Sequence, residues 1–492
     1  MKDMERIAKR LIKIAKEKNI YVVLRFQQYK SRSLVVKNSK VDSSELTEKE
    51  GTGIHAFTKK GNMGFSSVDT IINIDRLIKC LETAISLAKV SEENKFETIN
   101  EIYSLKPERG KKVQRVPIDP FKISNDTFEK DLLNINKRIR NRYSDFSVTN
   151  KSEFYQDKLN IIRSDGTNTE FTASNGNLYS ILTINKGKNT NQFFNSTHSY
   201  GYELIRNPKK LNYHYRLLDN NMQYVKKLYK ADRLKPGNYP ILLDNDIAGV
   251  FIHEAFGHTA ESDLHFSKSP LLKYGKVRSG EKIAPNFVNI YDEATVKDRG
   301  FYAFDSWGVK RQRVNIIKKG RINELINDVV TYKKTNTKLR GGAVAEYFSD
   351  IPVPRMSCMN ITVDKSKTIK LDFDPMLNKV EKIHKVLVNN NLFKKYKTIV
   401  YLVGSFGGMV DCFRGNFQFA SMLSFKLTKS DIQLLKQVSF SGITLEVLKS
   451  IKFALGKPKV KPGFCFKYGQ TIIESAKSPL ILIDKNKYVT VG

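Results

Sequence analysis

Two histidines and a glutamate fall close together in Val250-Phe251-Ile252-His253-Glu254-Ala255-Phe256-Gly257-His258. Neutral imidazole nitrogens are zinc ligands, and a carboxylate beside a ligand can accept a proton from a metal-activated water. The pattern H-E-x-x-x-H therefore points to a metal-dependent hydrolase. The familiar metalloprotease spacing, H-E-x-x-H, is one residue shorter and sets both histidines on one helical face. At i and i+5 on an ideal helix they would stand about 140° apart, too far to share one small ion. A π-bulge would return them to one side, and Gly257 is the residue expected to permit that distortion.

The preceding residues supply a frame for the motif. Tyr239-Pro240-Ile241-Leu242-Leu243 reads as a short strand, and Asp244, Asn245 and Asp246 offer N-cap side chains. Residues 247–252 are mostly apolar, so the expectation is strand, cap, then a buried helix carrying His253 and Glu254. A catalytic zinc takes three protein ligands and leaves one position open. On residue chemistry alone the third could be Glu261, Asp263, Cys358, Cys412 or Cys465. Cys465 lies in Pro462-Gly463-Phe464-Cys465-Phe466-Lys467-Tyr468-Gly469-Gln470, read here as a loop with glycines on both sides.

Elsewhere the chain shows alternating runs of helix and strand. An amphipathic helix with Met4, Ile7, Ala8, Leu11 and Ala15 on one face opens it, followed by strands over 21–29, 34–36, 53–57 and 63–65. Helices are expected over 75–88 and 128–139, separated by a long polar connection over 96–123. Strands dominate from 146 to 185, with a hairpin turn at Ser164-Asp165-Gly166-Thr167. A polar stretch over 207–212, a helix near 217–230 and the breaker Lys235-Pro236-Gly237 come next. That breaker suggests domains over 1–234 and 235–492. The second half has strands over 288–291, 313–317 and 398–403 and a glycine turn over 405–408. The fold class is α+β, because helices and strands come in runs rather than in strict βαβ alternation.

A length of 492 residues allows more than one domain, and 40% hydrophobic with 27% charged residues is ordinary for a globular chain. The net charge of +34 is not ordinary. Its lysines and arginines recur in small groups such as Lys111-Lys112, Lys226-Lys227 and Lys318-Lys319 rather than in a basic tail. A solvated basic surface is favoured over a nucleic-acid partner, since charge alone sets only non-specific affinity. The cysteines, Cys80, Cys358, Cys412 and Cys465, form no C-x-x-C pair and fit a reducing, cytoplasmic setting. No uncharged stretch is long enough for a bilayer, so no membrane partner is expected.

Taken together, the motifs resemble the TldD/PmbA family of metallopeptidases along nearly the whole chain. His253-Glu254-Ala255-Phe256-Gly257-His258 is similar to that family's H-E-A-x-G-H, and Glu261 and Asp263 to the acidic pair that follows. Arg299-Gly300, Phe304-Asp305, Gly308-Val309, Gln312-Arg313, Pro354-Arg355-Met356 and Gly407-Gly408 fit further blocks. The resemblance implies a two-domain fold, with an N-terminal mixed domain and a strand-rich C-terminal domain carrying the metal-site helix. It implies zinc (iron being the alternative ion) held by His253, His258 and Cys465, with Glu254 as the catalytic base. It also implies a dimer, either of two copies or with a PmbA-type subunit, that cleaves unfolded or leader-type peptides in an enclosed channel. Retention of the metal motif marks the TldD-type, catalytic subunit. Three departures, Asp411-Cys412-Phe413-Arg414 after the glycine turn, Cys358 and a loop after Cys465 less glycine-rich than is usual, bear on the substrate-contacting surface rather than the metal site. The rival classes are a non-catalytic peptide-binding or chaperone-like subunit and a DNA-associated regulator.

Overall fold

A computed structural model describes residues 2–186, 189–266 and 269–492. It is an α+β structure built on two large sheets. Helix α1 (Lys2–Glu17) buries the expected stripe of Met4, Ile7, Ala8, Leu11 and Ala15. Strands β1 (Tyr21–Lys37), β2 (Lys40–Phe57) and β3 (Met63–Val68) follow, then α2 (Ile74–Glu93), capped by the Asn73 side chain on the Arg76 amide. The polar connection over 96–123 contains a strand, β4 (Arg109–Val113), before α3 (Asn125–Arg142). Long strands β5 (Ser147–Arg163), β6 (Asn168–Lys186) and β7 (Asn189–Ser199) complete a seven-stranded sheet ordered β3-β2-β1-β5-β6-β4, with β7 also on β6.

Two expectations change in this half. The separate runs at 21–29 and 34–36 form one strand, because β2 and β5 hydrogen-bond β1 on both sides through its polar middle. The helix placed near 217–230 begins earlier. After the short α4 (Glu203–Arg206), α5 spans Pro208–Val225, with Asn207 capping the Lys209 and Lys210 amides and Pro208 in the first turn. The polar stretch is thus a helix start, where proline and a capping asparagine belong.

The second sheet has thirteen strands. Its centre is β8 (Ile241–Leu243), parallel to the strand Ile399–Asp411 on one side and antiparallel to Gln470–Ile483 on the other. All three β8 residues are fully buried, which accounts for the unbroken apolar run. Asp244 then accepts hydrogen bonds from the Asp246 and Ile247 amides and starts α6 (Asn245–Val250). The expected glycine turn over 405–408 is instead a bulge inside the strand Ile399–Asp411. The reversal comes later, over 412–415, ahead of the partner strand Asn416–Leu427. Among the described residues, no helix is long and apolar enough to cross a membrane.

Candidate metal centre

The helix begun at Asp244 buries Ile247, Ala248, Phe251, Ile252, Ala255 and Phe256 in the core of the second half. Phe251 meets Phe417, Phe419 and Phe440 from the sheet beneath it. From Phe251 to Gly257 the backbone is a π-helix, and the His258 amide donates to the carbonyl of His253. An i+5 to i bond widens the turn, which is what two histidines five apart require to face one another. Their rings lie 5.2 Å apart between centroids.

Gly257 has a different role from the one expected. Its φ of −60° and ψ of −49° are ordinary helical values, open to any residue. A Cβ at this position would overlap the sulfur of Met356. The glycine therefore admits a close neighbour; it does not relieve the backbone.

Cys465 reaches the histidines from the far end of the chain. It lies in the long strand Ile451–Lys467, paired with Ile472 across a hairpin, and not in a loop. The glycine behind the misreading, Gly469, belongs to the turn that follows. Donor atoms of His253, His258 and Cys465 all lie within 4.8 Å of one another, and Cys465 Sγ is 3.4 Å from His258 Nε2. Neighbouring carboxylates hold both rings in orientation. His258 Nδ1 is 3.1 Å from Glu261 Oε2, and His253 Nδ1 is 3.0 Å from Glu474 Oε2. Each ring thus turns Nε2 to the cluster, with a carboxylate behind it at Nδ1 as metal-binding imidazoles commonly have. Neither ring nitrogen of buried His253 makes a well-formed hydrogen bond; Nδ1 has the Glu474 carboxylate at ion-pair distance, which leaves Nε2 for an ion. Two imidazoles and a thiolate make a donor set that fits zinc.

The charges agree. Burial pushes the Cys465 thiol up, but the two imidazoles outweigh it and bring the pKa down to about 6. Burial opposes charge on His258 as well, yet Glu261 and Cys465 raise it to about 9. His253 is raised in the same way against burial, by Glu474 and Cys465. Glu254, on the same π turn, places Oε2 3.9 Å from His258 Nε2 and keeps part of its side chain open to solvent.

Comparison with known proteins settles the family. A sequence model of the PmbA/TldA metallopeptidase C-terminal domain matches residues 236–489, and one of domain 1 matches residues 22–88. The chain belongs to the PmbA/TldD family. It is a metallopeptidase by class. It is 29% identical over 383 residues to a metalloprotease of Archaeoglobus fulgidus, covering 76% of this chain and 80% of that one. It is 28% identical to a zinc metalloprotease TldD homolog of Saccharolobus solfataricus, over 55% of this chain and 56% of the other. The solved structure of TldE from Thermococcus kodakarensis shares the fold, with a TM-score of 0.73 at 15% identity, covering 99% of this chain and all of that one.

In this PmbA/TldD chain the other candidate ligands stand elsewhere. Glu261 is behind His258, and its second oxygen accepts the Met356 amide. Asp263 bonds Lys467 Nζ at 2.7 Å, and the same ammonium reaches Glu261 Oε2 at 2.8 Å. Burial alone would raise the Glu261 carboxyl, but Lys467 and His258 hold it well below the carboxylate range. Cys358 is fully buried in the strand Cys358–Val363, where burial pushes its thiol up to about 12. Cys412 lies in the 412–415 reversal and is raised to about 11, by burial first and then by Glu261. Glu474 and Lys467 were given no role from the sequence, and Arg355 only a place in the block Pro354-Arg355-Met356. Arg355, fully buried, donates to the carbonyl of Cys465 and to that of Gln470, tying down the cysteine's hairpin. Glu474 left one sign in the sequence, as a lone acid between Ile472-Ile473 and Ser475-Ala476. Its partner across the hairpin, Gly463, leaves the space that its carboxylate occupies.

Proposed function

We propose that this protein is a zinc peptidase of the TldD type, in which His253, His258 and Cys465 hold the ion and Glu254 is the catalytic acid–base. The convergence of those three donors within 4.8 Å carries the reading. The zinc of the Saccharolobus relative's name and the His₂Cys donor set favour zinc over iron. When bound, the ion would polarise the scissile carbonyl and make a water acidic enough to attack at neutral pH. Glu254 would take the proton from the attacking water and pass it to the leaving amine. Glu261 and Glu474 orient the two imidazoles, while Arg355 positions the strand that delivers Cys465.

The proposed substrates are unfolded or leader-type peptides, cut in an enclosed channel formed when the chain pairs with a second copy or a PmbA-type subunit. The full-length likeness to TldE supports a fold shared between such partners. Four free cysteines fit the proposed cytoplasmic setting. Metal analysis of purified wild-type and Cys465→Ala proteins tests the site. One zinc per chain is expected in the wild type and little in the variant. Equal zinc in both would remove Cys465 from the ligand set.

A further inference from the structure

A cavity of about 450 Å³ lies where β7 and α5 of the first half meet α6 and the strands Ile399–Asp411, Asn416–Leu427 and Ile451–Lys467. His253, Glu254, His258 and Cys465 are not among the residues that line it. Its volume falls in the range of small-molecule sites, and its body is apolar and aromatic: Phe193, Tyr213, Met376, Tyr401, Met422 and Phe425. Methionines beside aromatic rings make an adaptable wall suited to a flexible or flat apolar group.

One side is basic. Lys209 and Lys210 line the cavity from the first turn of α5; among the described residues neither pairs with a carboxylate, and Lys210 Nζ donates to Ser199 Oγ at 2.9 Å. Cations there face the positive end of an 18-residue helix, an unfavourable placement that an anion would relieve. Lys461 enters the same space, held by Asp246 at 2.6 Å. His198 lies among these groups. Burial first, then Arg299, Lys210 and Lys461 against Asp298 alone, lower it to about 4. A second observation is independent of charge. Tyr401 is 4% exposed and lines the cavity, yet its hydroxyl has no hydrogen-bond partner among the described residues. That hydroxyl keeps accessible surface and is not among the buried unpartnered atoms, so it is free to bond solvent or a ligand atom in the cavity.

We infer that this cavity is a binding site, separate from the metal centre, for an amphipathic organic carboxylate. The apolar body would lie among the aromatic and methionine side chains, with the carboxylate at Lys210 and Lys209. A free acid and the C-terminal residue of a peptide share this chemistry, and two probes separate them: decanoate and N-acetyl-Ala-Ala-Phe. Each is titrated calorimetrically, at physiological salt, into the full-length wild-type protein and into Lys210→Gln, Met422→Trp and Cys465→Ala variants, with circular dichroism confirming folding.

Saturable one-site binding of either probe is expected, weakened about tenfold by Lys210→Gln through loss of a charged contact. Met422→Trp should weaken it as strongly by filling the cavity, and Cys465→Ala should leave it unchanged. The tighter probe identifies the source. Absence of saturable binding by both probes overturns the inference, as does binding indifferent to Lys210→Gln and, should Met422→Trp fold, to that variant too. Binding lost with Cys465→Ala would assign the ligand to the metal centre and overturn it equally. Since Cys465→Ala removes the proposed zinc ligand, failure of the zinc reading would not be mistaken for failure of this one.

Discussion

At the scale of single residues, Glu254 and His258 separate chemistry from metal retention. Glu254 lies beside the donor cluster but outside it, so Glu254→Gln should keep the zinc while peptide cleavage falls by about 10²–10⁴-fold. A variant that cuts at the wild-type rate would remove Glu254 from the mechanism. His258 yields a prediction with a definite sign. Its pKa is raised to about 9, so below that pH an ion must displace a proton to reach Nε2. Zinc affinity should therefore rise as pH climbs from 6 towards 9, by about tenfold per unit for each proton released. Calorimetry in buffers of differing ionisation enthalpy counts those protons. Zinc uptake without proton release at pH 7 would contradict the pairing of His258 with Glu261 and Cys465.

The π-helical segment Phe251–Gly257 is the element that turns an i, i+5 spacing into a shared site. Two explanations of Gly257 make opposite forecasts. If the glycine merely eased the backbone, alanine at φ −60° would be tolerated or slightly stabilising. Because a Cβ would overlap Met356, Gly257→Ala should instead destabilise by about 1–3 kcal/mol. Met356→Ala made in the same chain should recover part of that loss. A urea double-mutant cycle with no coupling between 257 and 356 would sink this account. The strand, the Asp244 cap and the apolar helix were all legible in the sequence, since each is local. Cys465's strand was not. Glycines at 463 and 469 look alike in sequence, yet one leaves room for Glu474 within a ladder and the other, at φ +79°, makes a turn.

For the molecule as a whole, the two halves are joined by buried polar contacts as well as by apolar packing. Arg25 of β1 is 1% exposed and donates through Nη2 to the carbonyls of Tyr347, Phe348 and Asp350 at 2.9, 3.2 and 2.8 Å. Gln27 reaches the Glu346 carbonyl from the same strand. Gly51 and Gly53 of β2 lie so close to Phe348 that a Cβ on either would overlap it. Arg25→Met keeps the length of the side chain but leaves buried carbonyls unpaired, and should cost about 2–4 kcal/mol. The urea midpoint should fall and limited proteolysis near 345–350 should accelerate; an unchanged midpoint would show the seam to be held by packing alone. The surface charge of +34 belongs to this scale too, since it is spread along the chain and names no partner.

The sequence by itself determined the metal chemistry, the α+β class, the local frame from Ile241 to His258 and the need for a widened turn. These follow from residue type and short spacing, which act within a few bonds of the backbone. Residue chemistry left Cys358, Cys412 and Cys465 open and the family resemblance pointed to Cys465; the tertiary structure is what brings that thiol to the histidines. It also set Glu261 and Glu474 against the Nδ1 atoms of the histidines, and Met356 against Gly257. Those outcomes depend on which strands pair, and strand pairing joins residues some two hundred positions apart.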